Sequence, residues 1–175
     1  MAELNSHDRL QPSLLDRLTD SAPSDRQETV EARVLTRQQL RQAVLRDLSW
    51  LFNATRAEPE GNSTRQDELA LWARHGEARR SVVNYGMPAF AGSTLSSMDK
   101  KIIEREVARV IRDFEPRISP DTLVVEAKVD PHNHHNTLQL TIRGQMWNQP
   151  VPLELLLAAD LDVETGNTRV RDLRA

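Results

Sequence analysis

The chain has 175 residues, with 23 Lys+Arg against 26 Asp+Glu and a formal net charge of −3, which is the size of one domain and the wrong balance for a nucleic-acid binder held mainly by phosphate contacts. Hydrophobic residues make up 38% and aromatics 4%, enough for a core but below the usual globular content, so polar segments are left over. There is no cysteine, which removes disulfide scaffolds, thiolate zinc sites, iron–sulfur clusters and cysteine nucleophiles together.

No stretch approaches the ~18–20 apolar residues needed to cross a bilayer, and residues 1–20 lack a basic region followed by an apolar run. The expectation is a cytoplasmic protein with no direct membrane insertion. Lys100, Lys101 and Lys128 are the only lysines. The other cations are arginines, which suit bidentate contacts with carboxylates.

Leu10, Leu14, Leu15 and Leu18 recur at helical spacing behind Pro12, which predicts a short amphipathic segment. Residues 19–33 hold few apolar side chains and read as a flexible linker. A helical turn on such a tether either docks on its own domain or enters a partner's groove. The expected organisation is therefore residues 1–33 as a docking segment with its linker and residues 34–175 as one domain.

Thr36 and Gln39 form a capping-box pattern that opens a helix running to about Asn53. Leu40, Val44, Leu45, Leu48, Leu51 and Phe52 fall within about 140° of arc, while Trp50 falls about 280° from Leu40. Trp50 therefore needs its own cover, either from within the chain, by Leu69, Leu71 and Trp72, or from a partner; the former is the working expectation. Residues 54–66 read as an exposed loop, 67–75 as a short helix and 81–88 as an extended run closed by turn residues. Ser96 is the expected N-cap of a second long helix, with Asp99 in its first turn. Its apolar stripe is Ile103, Val107, Val110, Ile111 and Phe114, and Lys101, Glu104, Arg105, Arg109 and Arg112 lie opposite.

Pro116 ends that helix. Three runs of strict alternation follow, at 122–129, 137–147 and 151–163, with a short strand at 168–173. The predicted fold class is α+β, two long amphipathic helices packed on a three- to four-stranded antiparallel sheet.

The histidines at 132, 134 and 135 lie too close together on one loop to converge on an ion, and 130–136 reads as a polar hairpin loop. No metal or cofactor is expected. There is no phosphate-binding glycine loop, nucleophile elbow or paired-histidine helix. Glu115 is the carboxylate that calls for explanation, because a negative charge at a helix C-terminus opposes the macrodipole by about 0.3–1 kcal/mol. Arg117 supplies a cation within the chain, or else Glu115 and Arg117 point outward together as a pair for a partner. The chemistry of the residues leaves both open.

Taken together, Pro12-Ser13-Leu14-Leu15-Asp16-Arg17-Leu18, the helix with Leu48 to Asn53, Ser81-Val82-Val83-Asn84-Tyr85-Gly86-Met87-Pro88 and Phe114-Glu115-Pro116-Arg117-Ile118 resemble the TssE family. These are baseplate subunits of the bacterial type VI secretion system, related to small wedge proteins of contractile phage tails. The resemblance implies a non-enzymatic cytoplasmic subunit that joins TssF and TssG in a wedge, with TssK attached, beneath a contractile sheath of TssB and TssC. It implies that Glu115, Pro116 and Arg117 face the wedge partners and that the sheet offers an edge to the first sheath ring by strand pairing. Residues 56–65 match nothing in the family and take no role from it. The rival from another class is a muramidase with Glu115 as general acid, which needs a raised pKa and a second carboxylate about 5–10 Å away.

Overall fold

The structure, a computed structural model, describes residues 13–19, 24, 35–60, 64–89, 99–129, 137–147 and 152–174. Among these the architecture is α+β with a four-stranded antiparallel sheet. Helices α1 (Leu14–Leu18), α2 (Arg37–Asn53), α3 (Gln66–Arg74) and α4 (Gly76–Arg79) and a 3₁₀ turn (Val82–Asn84) precede α5 (Lys100–Phe114). Strands β1 (Val124–Val129), β2 (Thr137–Met146), β3 (Leu153–Asp162) and β4 (Thr168–Asp172) follow. The helical part is thus more divided than expected: α2 and α5, of 17 and 15 residues, are the longest of five.

Helix α2 begins with the capping box its sequence predicts. The Thr36 amide donates to Gln39 Oε1 at 2.8 Å and the Gln39 amide to Thr36 Oγ1 at 3.2 Å. Its stripe of Leu40, Val44, Leu48, Leu51 and Phe52 is buried, each side chain contributing about 1.5–3 kcal/mol. Helix α5 begins later than expected, at Lys100. Its N-cap is Asp99, whose Oδ1 accepts the Lys101 amide at 2.8 Å; Ser96 lies outside the described residues. Aspartate caps as well as serine and adds a negative charge at the positive end of the helix. Ile103, Val107, Val110 and Ile111 are buried as predicted, and Phe114 meets Tyr85 edge-on, ring centroids 5.3 Å apart.

The sheet is a meander in the order β1-β2-β3-β4. Its register sets Ala127 opposite Leu140, Leu140 opposite Ala159 and Ala159 opposite Val170, so one face is continuous core. Leu123, Val125, Ala127, Leu138, Leu140, Ile142, Met146, Leu155, Leu157, Ala159, Leu161 and Val163 are all buried, as the alternation predicts. Helix α5 packs against β1 and α2 against β4, the two strands that the order makes the edges of the sheet. The expected histidine loop at 130–136, residues 148–151, Leu10 and the expected linker apart from Thr19 and Ser24 lie outside the described residues.

Two expectations fail for the same reason: polar side chains find partners inside. Residues 82–84 form a 3₁₀ turn, not an extended run, because Ser81 Oγ accepts the Val83 amide at 3.3 Å and Asn84 is buried and bonded on both ends of its carboxamide. The loop after α2 is not simply exposed. Glu58 is buried, the Arg56 side chain is 7% exposed, and Thr55 forms a parallel bridge with Met87. That bridge requires Gly86, whose φ is +122°; a Cβ there would lie 2.5 Å from the Ala54 carbonyl oxygen.

Candidate functional site

The Glu-Pro-Arg turn is built by the end of α5. Glu115 is the C-cap, its amide still bonded to the Ile111 carbonyl at 2.8 Å. Pro116 has no amide hydrogen to continue the helix and stands exposed. The chain then folds back, the Ile118 amide donating to the Glu115 carbonyl at 3.2 Å, and Ile118 enters the core. This reversal sets Arg117 over the Glu115 carboxylate. Arg117 Nε donates to Oε1 at 2.6 Å, Nη2 to Oε2 at 2.5 Å and the Arg117 amide to Oε1 at 3.2 Å.

Glu115 is only 2% exposed, so of the two arrangements open to the sequence the structure has the pair closed within the chain. The pairing does not end there. Arg117 Nη2 also donates to Asp47 Oδ2 at 2.5 Å, Arg46 Nε to Asp47 Oδ1 at 2.8 Å, and Arg46 Nη2 to Asp16 Oδ1 at 2.8 Å. Five side chains of alternating sign thus connect the end of α5, the polar flank of α2 and α1. Burial works against the charge on Arg117, but Glu115 and Asp47 outweigh it and hold the guanidinium above its ordinary range. Burial likewise opposes ionisation of Asp16, and the bonds from Ser13 and Arg46 outweigh it, leaving Asp16 below the usual aspartate value. Arg117 Nη1 is buried with no hydrogen-bond partner.

The network ends at an apolar surface. Asp16 ties α1 to α2 through Arg46, with Ser13 and Asp16 capping each other. Two of its leucines are open to solvent, Leu14 at 74% and Leu18 at 73% exposed, while Leu15 is 39% exposed. Arg46 also lies over the Trp50 ring, 5.4 Å from its centroid. Trp50 is still 54% exposed. Helix α3, from which Leu69, Leu71 and Trp72 were expected to cover it, has no fully buried residue, and Leu71 is itself 56% exposed.

This geometry opposes acid catalysis by Glu115. The second carboxylate, Asp47, lies across the same guanidinium nitrogen, so Arg117 fills the place a glycosidic bond would need.

A second polar cluster was invisible in the sequence. Arg56 Nη1 donates to Glu106 Oε2 at 2.7 Å, Arg79 Nη2 to Glu58 Oε1 at 2.7 Å and Arg109 Nη2 to Glu106 Oε2 at 2.7 Å. Asn84 Oδ1 accepts the Glu58 amide at 2.9 Å. These residues come from four separate segments, and no spacing along the chain announces them. Among the described residues, no three His, Cys, Asp or Glu side chains converge to hold a metal ion, and no helix is long and apolar enough to cross a membrane.

Among known proteins, the sequence model of the family described as Baseplate wedge protein gp25 matches residues 38–151, more than half of the chain. That span begins in the first turn of α2, takes in α5, β1 and β2, and contains Arg46, Asp47, Glu115 and Arg117. No curated protein and no solved structure matches.

Proposed function

The chain belongs to the baseplate wedge protein gp25 family, and on that premise we propose that it is a structural, non-enzymatic baseplate subunit of a type VI secretion system. In this reading it works in the cytoplasm, joins TssF and TssG in a wedge with TssK attached, and helps seed a TssB–TssC sheath by strand pairing. The observation that carries it is the apolar surface of Leu14, Leu18 and Trp50, fixed in place by the ion-pair chain from Glu115 to Asp16.

The motif residues divide their work. Glu115 is a positioning residue, buried beneath Arg117. Exposed Pro116 and the outer side of Arg117, with Asp47, meet the wedge partners. Residues 1–33 act as the docking segment, in which Leu10, Leu14, Leu15 and Leu18 enter an apolar groove of a partner, and residues 34–175 form the wedge domain. An exposed tryptophan beside an arginine is the kind of anchor that dominates interfaces.

Co-expression of the full chain with TssF and TssG tests this. Trp50→Ala and Leu18→Ala each remove an exposed side chain, so both variants are expected to fold as the wild type does and to bind at least tenfold more weakly. Undiminished co-purification of both variants would refute the reading.

A further inference from the structure

In an antiparallel ladder, alternate amides of an edge strand point away from the sheet. At Thr168, the first residue of β4, both outward groups are closed by α2. The Thr168 amide donates to Asn53 Oδ1 and the Thr168 carbonyl accepts from Asn53 Nδ2, each at 2.9 Å. Asn53 is tethered in turn to the Ser49 carbonyl at 2.7 Å. At the far end of β4, Arg41 bonds Asp172 at 3.1 Å and the Glu154 carbonyl at 3.0 Å. One carboxamide thus takes both hydrogen-bonding groups that an incoming strand would need at Thr168, and the helix holds both ends of the five-residue strand.

The other edge is closed differently. The outward amide of Ala127 donates to Glu104 Oε1 at 2.8 Å, a single bond from a half-buried side chain of α5. Val125 shares the parity of Ala127, and among the described residues nothing else bonds either outward amide. Among the exposed charges of the described residues on this rim, the cations outnumber the one carboxylate, Asp99 at the N-cap of α5. All three lysines of the chain, Lys100, Lys101 and Lys128, stand exposed on the first turn of α5 and on β1, with Arg105 exposed beside them, while Glu126 faces Arg143 at 3.9 Å. Lys100 and Lys101 precede Glu104 by four and three residues, within its reach on the helix surface, so the carboxylate has another partner when it leaves Ala127.

We infer that β1 is the pairing edge of the sheet and that Glu104 is its closure, displaced when an extended acidic segment of a sheath-type partner adds as a fifth strand beside β1. The inference rests on the strand-pairing reading above and gives it an edge, a charge preference and a guard. Main-chain bonds to Val125 and Ala127 supply affinity, and the lysine rim selects acidic side chains. The guard keeps an otherwise open edge from pairing with other chains before assembly.

Amide hydrogen exchange on the full chain tests this, with an end-blocked, strand-length peptide alternating Glu and Val as the probe and its Lys-for-Glu counterpart as the control. The acidic peptide is expected to protect the Val125 and Ala127 amides. Glu104→Ala is expected to bind it on the order of tenfold more tightly than the wild type, because no charge-assisted bond must first be broken. Glu104→Gln keeps an acceptor in place and is expected to fall between the two, which also controls for any misfolding of the alanine variant. Protection at Thr168 and Val170 instead would overturn the choice of edge while leaving strand pairing intact. Equal affinity of Glu104→Ala and wild type would overturn the guard, and equal binding of the lysine peptide would overturn the acidic occupant. No protection by either peptide at either edge, in any variant, would overturn this inference together with strand pairing, leaving the wedge contact to its own test.

Discussion

Replacing Arg117 by alanine removes three side-chain bonds at once, two to Glu115 and one to Asp47. Glu115 is 2% exposed, so its carboxylate would keep only the bond from the backbone amide of residue 117 and lose its counter-ion. Orphaning a fully buried charge costs about 3–5 kcal/mol. The Arg117 side chain is 23% exposed, which lets water reach part of the gap, so the expected loss is about 2–3 kcal/mol. Glu115→Ala should cost less, about 1–2 kcal/mol, because Arg117 retains Asp47 as a partner. The double variant should be more stable than the sum of the two losses implies, with a coupling of about 1.5–3 kcal/mol. Urea unfolding followed by far-ultraviolet circular dichroism reads all three. A loss below about 0.5 kcal/mol in Arg117→Ala, the range of ordinary surface changes, or strict additivity of the pair, would refute the reasoning that Glu115 is an internal counter-ion.

Gly86→Ala should lower stability by at least about 2 kcal/mol, since it combines a strained positive φ with a Cβ driven into the Ala54 carbonyl; a thermal melt unchanged from wild type would count against the Thr55–Met87 bridge. Asn84→Ala should cost about 2 kcal/mol by leaving the Glu58 amide and the Arg79 carbonyl without their bonds, read from the urea midpoint. Burial raises the pKa of Glu106, but the bonds from Arg109 and Arg56 outweigh it and leave the group below its ordinary 4.5. A depressed carboxylate stabilises the fold fully above that value and loses its contribution as pH falls through the lower folded value. Unfolding free energies measured from pH 6 downward should therefore fall less steeply in Glu106→Gln than in wild type, and parallel curves would contradict the pairing.

The repeating parts of the fold were legible because one periodic rule decides each of them. Period-two alternation placed Leu138, Leu140 and Ile142 on the buried face, and the 3.6-residue stripe did the same for Val44, Leu48 and Leu51. What escaped the sequence was long-range polar pairing. Arg56 and Glu58 look like loop residues until Glu106, Arg79 and Asn84 are brought to them across the fold. Val82 and Val83 favour extended backbone on their own, but the Ser81 hydroxyl and the buried Asn84 carboxamide impose a turn. The candidate site was half legible. Glu115 and Arg117 stood out through the proline and the helix end, whereas Asp47, Arg46 and Asp16 carry no local signal and join only through the contact of three helices. Trp50 was correctly set apart from the core stripe, and Arg46, one turn back on its own helix, lies over its ring.

Imaging of the full chain co-expressed with TssF and TssG tests the wedge-subunit account most directly. The account predicts one assembled complex in which Leu14, Leu18 and Trp50 are covered by a partner while Glu115 remains beneath Arg117. A wedge that assembles with those three side chains still facing solvent, or that assembles without this chain, would contradict it.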